Sequence, residues 1–145
     1  MLTEVKVKVS RVIDSKTRKR TETYLTEADV FAQAEIAVMT LLEQQTEEGL
    51  VEDFEIQSLR ISPIKEICTQ YQGEETFVIT LKDIFVDDNG NEKFLRYKVL
   101  LWADSLSQAN ARANELSHQG YSMLVEGIKQ TDYEYLTPQE NENYS

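Results

Sequence analysis

Few side chains in this chain are equipped for chemistry, and those few are scattered. His118 is the only histidine and Cys68 the only cysteine. A lone imidazole can act as a general base. No serine or cysteine, however, stands in a recognisable nucleophile motif. The simpler role for His118 is a cation near the C-terminal end of a helix, where the macrodipole favours positive charge. One His and one Cys do not make the ligand set that zinc requires. The carboxylates Glu43, Glu47, Glu48, Glu52 and Asp53 gather after an apolar-periodic stretch, yet they lack the Asp-x-Asp-x-Asp-Gly spacing of a calcium loop. "DDNGNE" (87–92) is short and lies between two strand patterns, so it reads as a hairpin tip. There is no glycine-rich phosphate loop. The expectation is therefore no catalytic, cofactor-binding or metal-binding residue and a non-enzymatic protein.

Two charged stretches and one aromatic remain as candidate partner-binding residues. Lys16, Arg18, Lys19 and Arg20 form the one concentrated basic feature. It reads either as a solvated hairpin tip or as a phosphate contact; with Tyr24 nearby, it could bind single-stranded nucleic acid by charge and stacking. The matching place in the second half of the chain carries Asp83, Asp87, Asp88 and Glu92. Opposite charges at related positions would steer head-to-tail association with a partner or another copy. Trp102 is either an exposed contact anchor or part of the core. The net charge of −11 disfavours non-specific adhesion to nucleic acid or anionic membrane. It also permits mimicry of DNA by an acidic inhibitor of a host enzyme, although here the carboxylates alternate with Lys and Arg.

The elements that must position these residues follow from periodicity. Val5, Val7 and Val9 alternate with polar residues, as in a half-buried strand. "DSKTRKR" turns the chain, and a second strand covers about Arg20 to Leu25. From Val30 to about Glu47, Phe31, Ala34, Val38, Leu41 and Leu42 form a helical stripe, which Gly49 closes as a C-terminal cap. "FEIQSLRIS" is a third strand ended by Pro63. Residues 63–73 could extend that strand or form a packed connection. "TFVITLKDIFV" and "KFLRYKVLLW" are strands joined through Asn-Gly, a tight-turn signal. A helix then runs from Ser105 to about His118, ending at Gly120, and "SMLVEGIKQT" is the last strand. The polar segment 137–145 reads as a disordered acidic tail.

"EADVFAQAE" (27–35) and "WADSLSQAN" (102–110) share an Ala-Asp-x-x-x-Gln-Ala skeleton 75 positions apart. At the same spacing, Phe31, Ala34, Val38 and Leu41 correspond to Leu106, Ala109, Ala113 and Leu116. Asp29 and Asp104 stand where helix N-caps belong. The element order repeats as well. These observations predict an α+β fold: a two-layer sandwich built by tandem duplication of a β-β-α-β unit. The first repeat spans 1–66, a connection 67–75, and the second repeat 76–136, with both halves packed as one domain. A unit of about 65 residues would be marginally stable alone.

The order "VKVKVSRV…KRTETYLTEADVFAQAE…FEIQSLRIS…LWADSLSQANARANEL…YSMLVEGIKQT" resembles an uncharacterised family catalogued as a domain of unknown function, found in gut anaerobic bacteria and their phages. Its members have a strand, a basic turn, a Thr-Glu-x-Tyr-Leu-x-x-Ala entry and an Ala-Glu helix. The matching residues here are Thr21, Glu22, Tyr24, Leu25, Ala28, Ala34 and Glu35, and the resemblance covers roughly residues 3–136. It implies no activity, cofactor or catalytic residue; it implies a phage or mobile-element context.

No apolar stretch approaches the roughly 18 residues needed to span a bilayer, and the N-terminus lacks a signal-peptide pattern, so a cytoplasmic protein without membrane association is expected. The functional expectation is a protein–protein interaction or assembly module, associated with a virion or with replication. The alternative is a single-stranded nucleic-acid-binding protein using hairpin 16–20, and the third is the acidic DNA mimic.

Overall fold

The computed structural model describes residues 1–121 and 123–137. Its elements are β1 (Leu2–Ile13), β2 (Lys16–Glu27), α1 (Phe31–Glu47), β3 (Val51–Ile61), β4 (Ile64–Ile67), β5 (Glu75–Val86), β6 (Glu92–Ala103), α2 (Leu106–Leu116), a π-helical turn (Ser117–Tyr121), β7 (Leu124–Thr131) and β8 (Glu134–Leu136). The fold is α+β, with two sheets and two helices. The expected acidic tail, apart from Thr137, lies outside the described residues. The described chain divides into two compact units, Met1–Ser62 with residues 133–137, and Pro63–Asp132.

In the first unit the strand order is β3-β1-β2-β8. The alternation of Val5, Val7 and Val9 with polar residues puts the three valines on one face of β1. Tyr24 joins that face from β2, and α1 covers it with Ala34, Val38 and Leu42. In the second unit the order is β4-β6-β5-β7. Phe77, Ile79 and Leu81 of β5, with Val99 and Leu101 of β6, meet Ala109, Ala113 and Leu116 of α2. An isolated helix shorter than about 12–15 residues is marginal in water. The 11-residue α2 is therefore held by this apolar face and not by its own propensity.

The two sheets share their register. Val5 pairs with Tyr24 on one side and Leu59 on the other; Ile79 pairs with Val99 and Ile128. A bulge interrupts the β1–β3 ladder between Lys6 and Val7, and the β5–β7 ladder between Thr80 and Leu81; the β1–β3 ladder has a second shift between Ser10 and Arg11, where the β5–β7 ladder has already ended. Each sheet is completed by a short parallel edge strand. β4 follows β3 in the chain yet pairs with β6, while β8 follows β7 yet pairs with β2. The first compact unit thus breaks at Ser62–Pro63, ahead of the repeat boundary read at residue 66. Pro63 has no N–H to continue the β3 ladder, and Ile64–Ile67 starts a new strand instead. β8 carried no clear signal in the sequence.

Several local expectations are corrected. The chain does not turn over residues 14–20. Asp14 and Ser15 alone make the turn, with φ of 52° and 65°, and β2 already begins at Lys16. Such a two-residue turn with both φ positive matches strand twist. Asp29 and Asp104 are not the N-caps. Val30 and Ser105 hold those positions, and the Ser105 Oγ accepts the Gln108 N–H at 3.1 Å. The repeated Asp-x-x-x-Gln acts differently: Gln33 Oε1 accepts the Asp29 N–H at 2.8 Å, and Gln108 Oε1 accepts the Asp104 N–H at 2.7 Å. Each glutamine reaches back to a backbone donor ahead of its helix, as in a capping box. Phe31 and Leu106, assigned to the buried stripes, are both exposed; they stand at the first helical position, beyond the sheet's cover. Gly49 does close α1: its φ is +78°, its N–H reaches Thr46 O, and the Leu50 N–H reaches Gln45 O, the paired bonds of a Schellman motif.

Candidate functional site

The candidate residues fall on two β ribbons. The first is the end of β1–β2. Strand alternation places Arg11, Arg18 and Arg20 on the helix-facing side of this ribbon, with Lys8, Ser10 and Lys19 on the other. Glu22 sits among the first group and is only 8% exposed. Its carboxylate accepts hydrogen bonds from Arg11 Nε and Nη2, from Arg20 Nε at 2.6 Å and from Tyr24 Oη at 2.6 Å. Burial pushes this carboxyl up, but the bonds from Arg11, Tyr24 and Arg20 outweigh it and hold the pKa near 2. Burial and the bond to Glu22 push the Tyr24 phenol up. The same carboxylate bond raises Arg11 further into its charged form. Two of the ribbon's arginines are thereby committed to a structural carboxylate.

Lys16, Arg18 and Lys19 are exposed and make no ion pair among the described residues. On the opposite face a groove of about 630 Å³ is lined by Lys8, Ser10, Lys19, Thr21, Asp53 and Glu55. Glu55 stands across from Lys8, and Asp53 across from Ser10, so carboxylates of β3 dilute the positive charge there. The sequence predicted four basic residues on a turn tip. The structure places them along an extended strand, ties Arg20 to Glu22 and leaves three cations on β2. From Lys16 to Thr23 that strand pairs only with β1, because β8 meets it only at Tyr24–Thr26.

The second ribbon is the end of β5–β6. Beyond Lys82 β5 loses its β7 neighbour, and β4 meets β6 only at Ile64–Ile67 against Lys98–Leu100. The ribbon carries Ile84, Phe85, Val86, Phe94 and Leu95, all exposed, from 40% at Phe85 to 67% at Val86. Phe94 is fixed from one side: Lys82 Nζ and Arg96 Cζ lie 4.3 and 4.7 Å from its ring centre. Glu126 of β7 holds both cations, at 3.8 Å from Lys82 Nζ and 2.7 Å from Arg96 Nε. At the tip Asp87 Oδ1 accepts the N–H groups of Asn89 and Asn91, both at 2.9 Å, and Gly90 takes φ +80°. Asp87 thus builds the turn, while Asp88 and Glu92 are exposed beside it. The sequence reading missed the apolar surface. Its signal was "DIFVDD", where three successive apolar residues occupy both faces of a strand just before a tip.

Trp102 is half-buried on the sheet face away from α2, and its carbonyl accepts Arg112 Nη1 at 2.6 Å. It is not part of either ribbon. Cys68 is buried in the core of the second unit, and burial pushes its thiol up, away from the nucleophilic thiolate. His118 lies in the π-helical turn and is exposed. Among the described residues no three His, Cys, Asp or Glu side chains cluster as metal ligands, and no helix is long and apolar enough to cross a membrane.

These features define an α+β protein of two sheet-and-helix units, one bearing a basic ribbon and the other an apolar ribbon with an acidic tip. The chain belongs to the family described as Domain of unknown function (DUF4494), whose family model matches residues 1–139. No curated protein and no solved structure matches it.

Proposed function

We propose that the protein is a non-enzymatic docking module that acts in the cytoplasm by binding another protein through the β5–β6 ribbon. The observation that carries this reading is the exposed set Ile84, Phe85, Val86, Phe94 and Leu95. Ile84, Val86 and Phe94 share one face of the ribbon, and Phe85 and Leu95 the other; exposed apolar side chains grouped in this way are costly in water and mark a contact site. An aromatic already held in one orientation, as Phe94 is by Lys82 and Arg96, loses less entropy on binding. In this reading the two units descend from one duplicated β-β-α-β module, supported by the shared register and the matching bulges. After duplication one ribbon specialised for contact. The family resemblance suggests a phage or mobile-element gene of gut anaerobes, and hence a virion or replication assembly as the setting.

Single-stranded nucleic acid binding is the second reading, favoured by Lys16, Arg18 and Lys19, which are exposed and make no ion pair among the described residues. It is the weaker one, because Arg20 is spent on Glu22 and the adjoining groove holds Asp53 and Glu55. The test pairs two substitutions sets. Ile84→Ser with Leu95→Ser should abolish a discrete complex, with another protein or between copies, that the unsubstituted chain forms in sedimentation and affinity capture. A fluorescent oligonucleotide should bind weakly at low salt and not at moderate salt. No ribbon-dependent complex of either kind, or tight oligonucleotide binding lost on Lys16→Glu with Lys19→Glu, would overturn the docking reading.

A further inference from the structure

The docking reading leaves the occupant of the apolar ribbon open, and the inference here rests on that reading. We infer that the partner is a second copy of this chain, with the free β5 edge of one copy adding to the free β2 edge of another.

Among the described residues both edges are unpaired over part of their length, and the β2 stretch is long enough to receive the whole of the β5 one. β2 has β1 on one side only from Lys16 to Thr23, and β5 has β6 on one side only from Asp83 to Val86. Ile84, Phe85 and Val86 are strong strand formers without a proline or glycine, and such an exposed edge is a template for strand addition. The β2 edge offers Thr17, Thr21 and Thr23, β-branched residues suited to accept it.

Charge decides which edges meet. The β5 side carries Asp83, with Asp87 and Asp88 following at the tip; the β2 side carries Lys16, Arg18 and Lys19. Lys82 and Arg96, the cations nearest the acidic ribbon, are held by Glu126 on β7. Glu92 and Lys93 both lie on β6, away from the β5 edge, and leave it acidic through Asp83 and the tip aspartates. Two β2 edges brought together would set lysines and arginines against each other, and two β5 edges would set carboxylates together. Like charges directly opposed are unfavourable in a sheet, so self-matching dimers are penalised on both edges. Only the unlike pairing is favoured. Each copy owns one edge of each kind, so the contact is heterologous and extends into a ring or a filament instead of stopping at a dimer.

Sedimentation velocity and light scattering over a wide dilution series test this on the full chain. The unsubstituted protein should assemble beyond a dimer, and rising salt should dissolve the assembly. Lys16→Glu/Arg18→Glu/Lys19→Glu and Asp83→Lys/Asp88→Lys should each be folded by circular dichroism and monomeric by sedimentation. Mixing the two charge-reversed proteins should restore assembly with strict alternation, because each then presents the edge the other lacks. Assembly by either reversed protein alone, or an equimolar mixture of folded variants that stays monomeric, overturns the inference. If the unsubstituted chain is monomeric while its ribbon still holds a different protein, the self-pairing falls and the docking reading stands. If ribbon substitutions change no complex at all, both fall.

Discussion

The β1–β2 and β5–β6 ribbons occupy the same places in their sheets but carry different chemistry. Where the ladder sets Val7 beside Glu22, the other sheet sets Leu81 beside Tyr97; Val9 and Arg20 correspond to Asp83 and Leu95, and Arg11 and Arg18 to Phe85 and Lys93. One ribbon is stiffened by an ion network closed on Glu22. The other is left apolar, with a cation pair clamped over Phe94. Register and bulge position thus tolerate a complete change of surface. The lesson is that the backbone ladder and the helix-covered face maintain the scaffold, while the ends of the hairpins, past the third strand, are free to carry different side chains.

The comparison can be broken most severely in the two cores. Phe77 and Thr3 hold corresponding ladder positions, opposite Leu101 and Thr26, and both are fully buried. Phe77→Ala should cost about 3–5 kcal/mol, the transfer and cavity terms together, measured by urea unfolding. The ribbons come next. Glu22→Gln should cost about 3 kcal/mol at pH 7, since the carboxylate pKa lies near 2 against an ordinary 4.5. The sign follows from that depression: the contribution is complete above pH 4.5 and is lost as the pH falls through about 2, so the variant and the parent should converge in acid. Unfolding curves between pH 7 and pH 2 check it.

Thr3→Val should move the other way. The Thr3 Oγ1 is buried without a hydrogen-bond partner, and replacing it with a methyl should stabilise by about 1 kcal/mol. A loss instead would mean that the hydroxyl has a use the geometry does not reveal. The smallest effect belongs to the second ribbon's surface. Phe94→Leu should cost less than about 1 kcal/mol of stability, the size of an exposed cation–π contact, while weakening ribbon-dependent association. A large stability loss there would mean the ribbon is built for rigidity, as the first one is.

Much of the fold was legible in residue order. The period-two valines, the stripe of Ala34, Val38 and Leu42, Gly49 and the Asn89-Gly90 turn all act through local geometry, and each marks its element. The Asp-x-x-x-Gln repeat was visible too, though its mechanism was not: the acceptor is the glutamine side chain and the donor is the Asp backbone. The candidate surface was half legible. Its charges stood out because Lys16–Arg20 and Asp87–Asp88 are contiguous. The apolar ribbon did not, since Ile84, Phe85 and Leu95 look like core residues until the sheet is seen to stop short of them.

Amino-acid order alone determined where the chain extends, coils and turns, because propensity, capping and apolar period operate over a few neighbouring residues. Only the tertiary structure decided which strand lies beside which. It sent β4 to β6 and β8 to β2, closed Arg11 and Arg20 on Glu22, and left β5 and β2 each with an open edge. Those outcomes depend on hydrogen-bonding partners tens of residues away, and no local pattern carries that information.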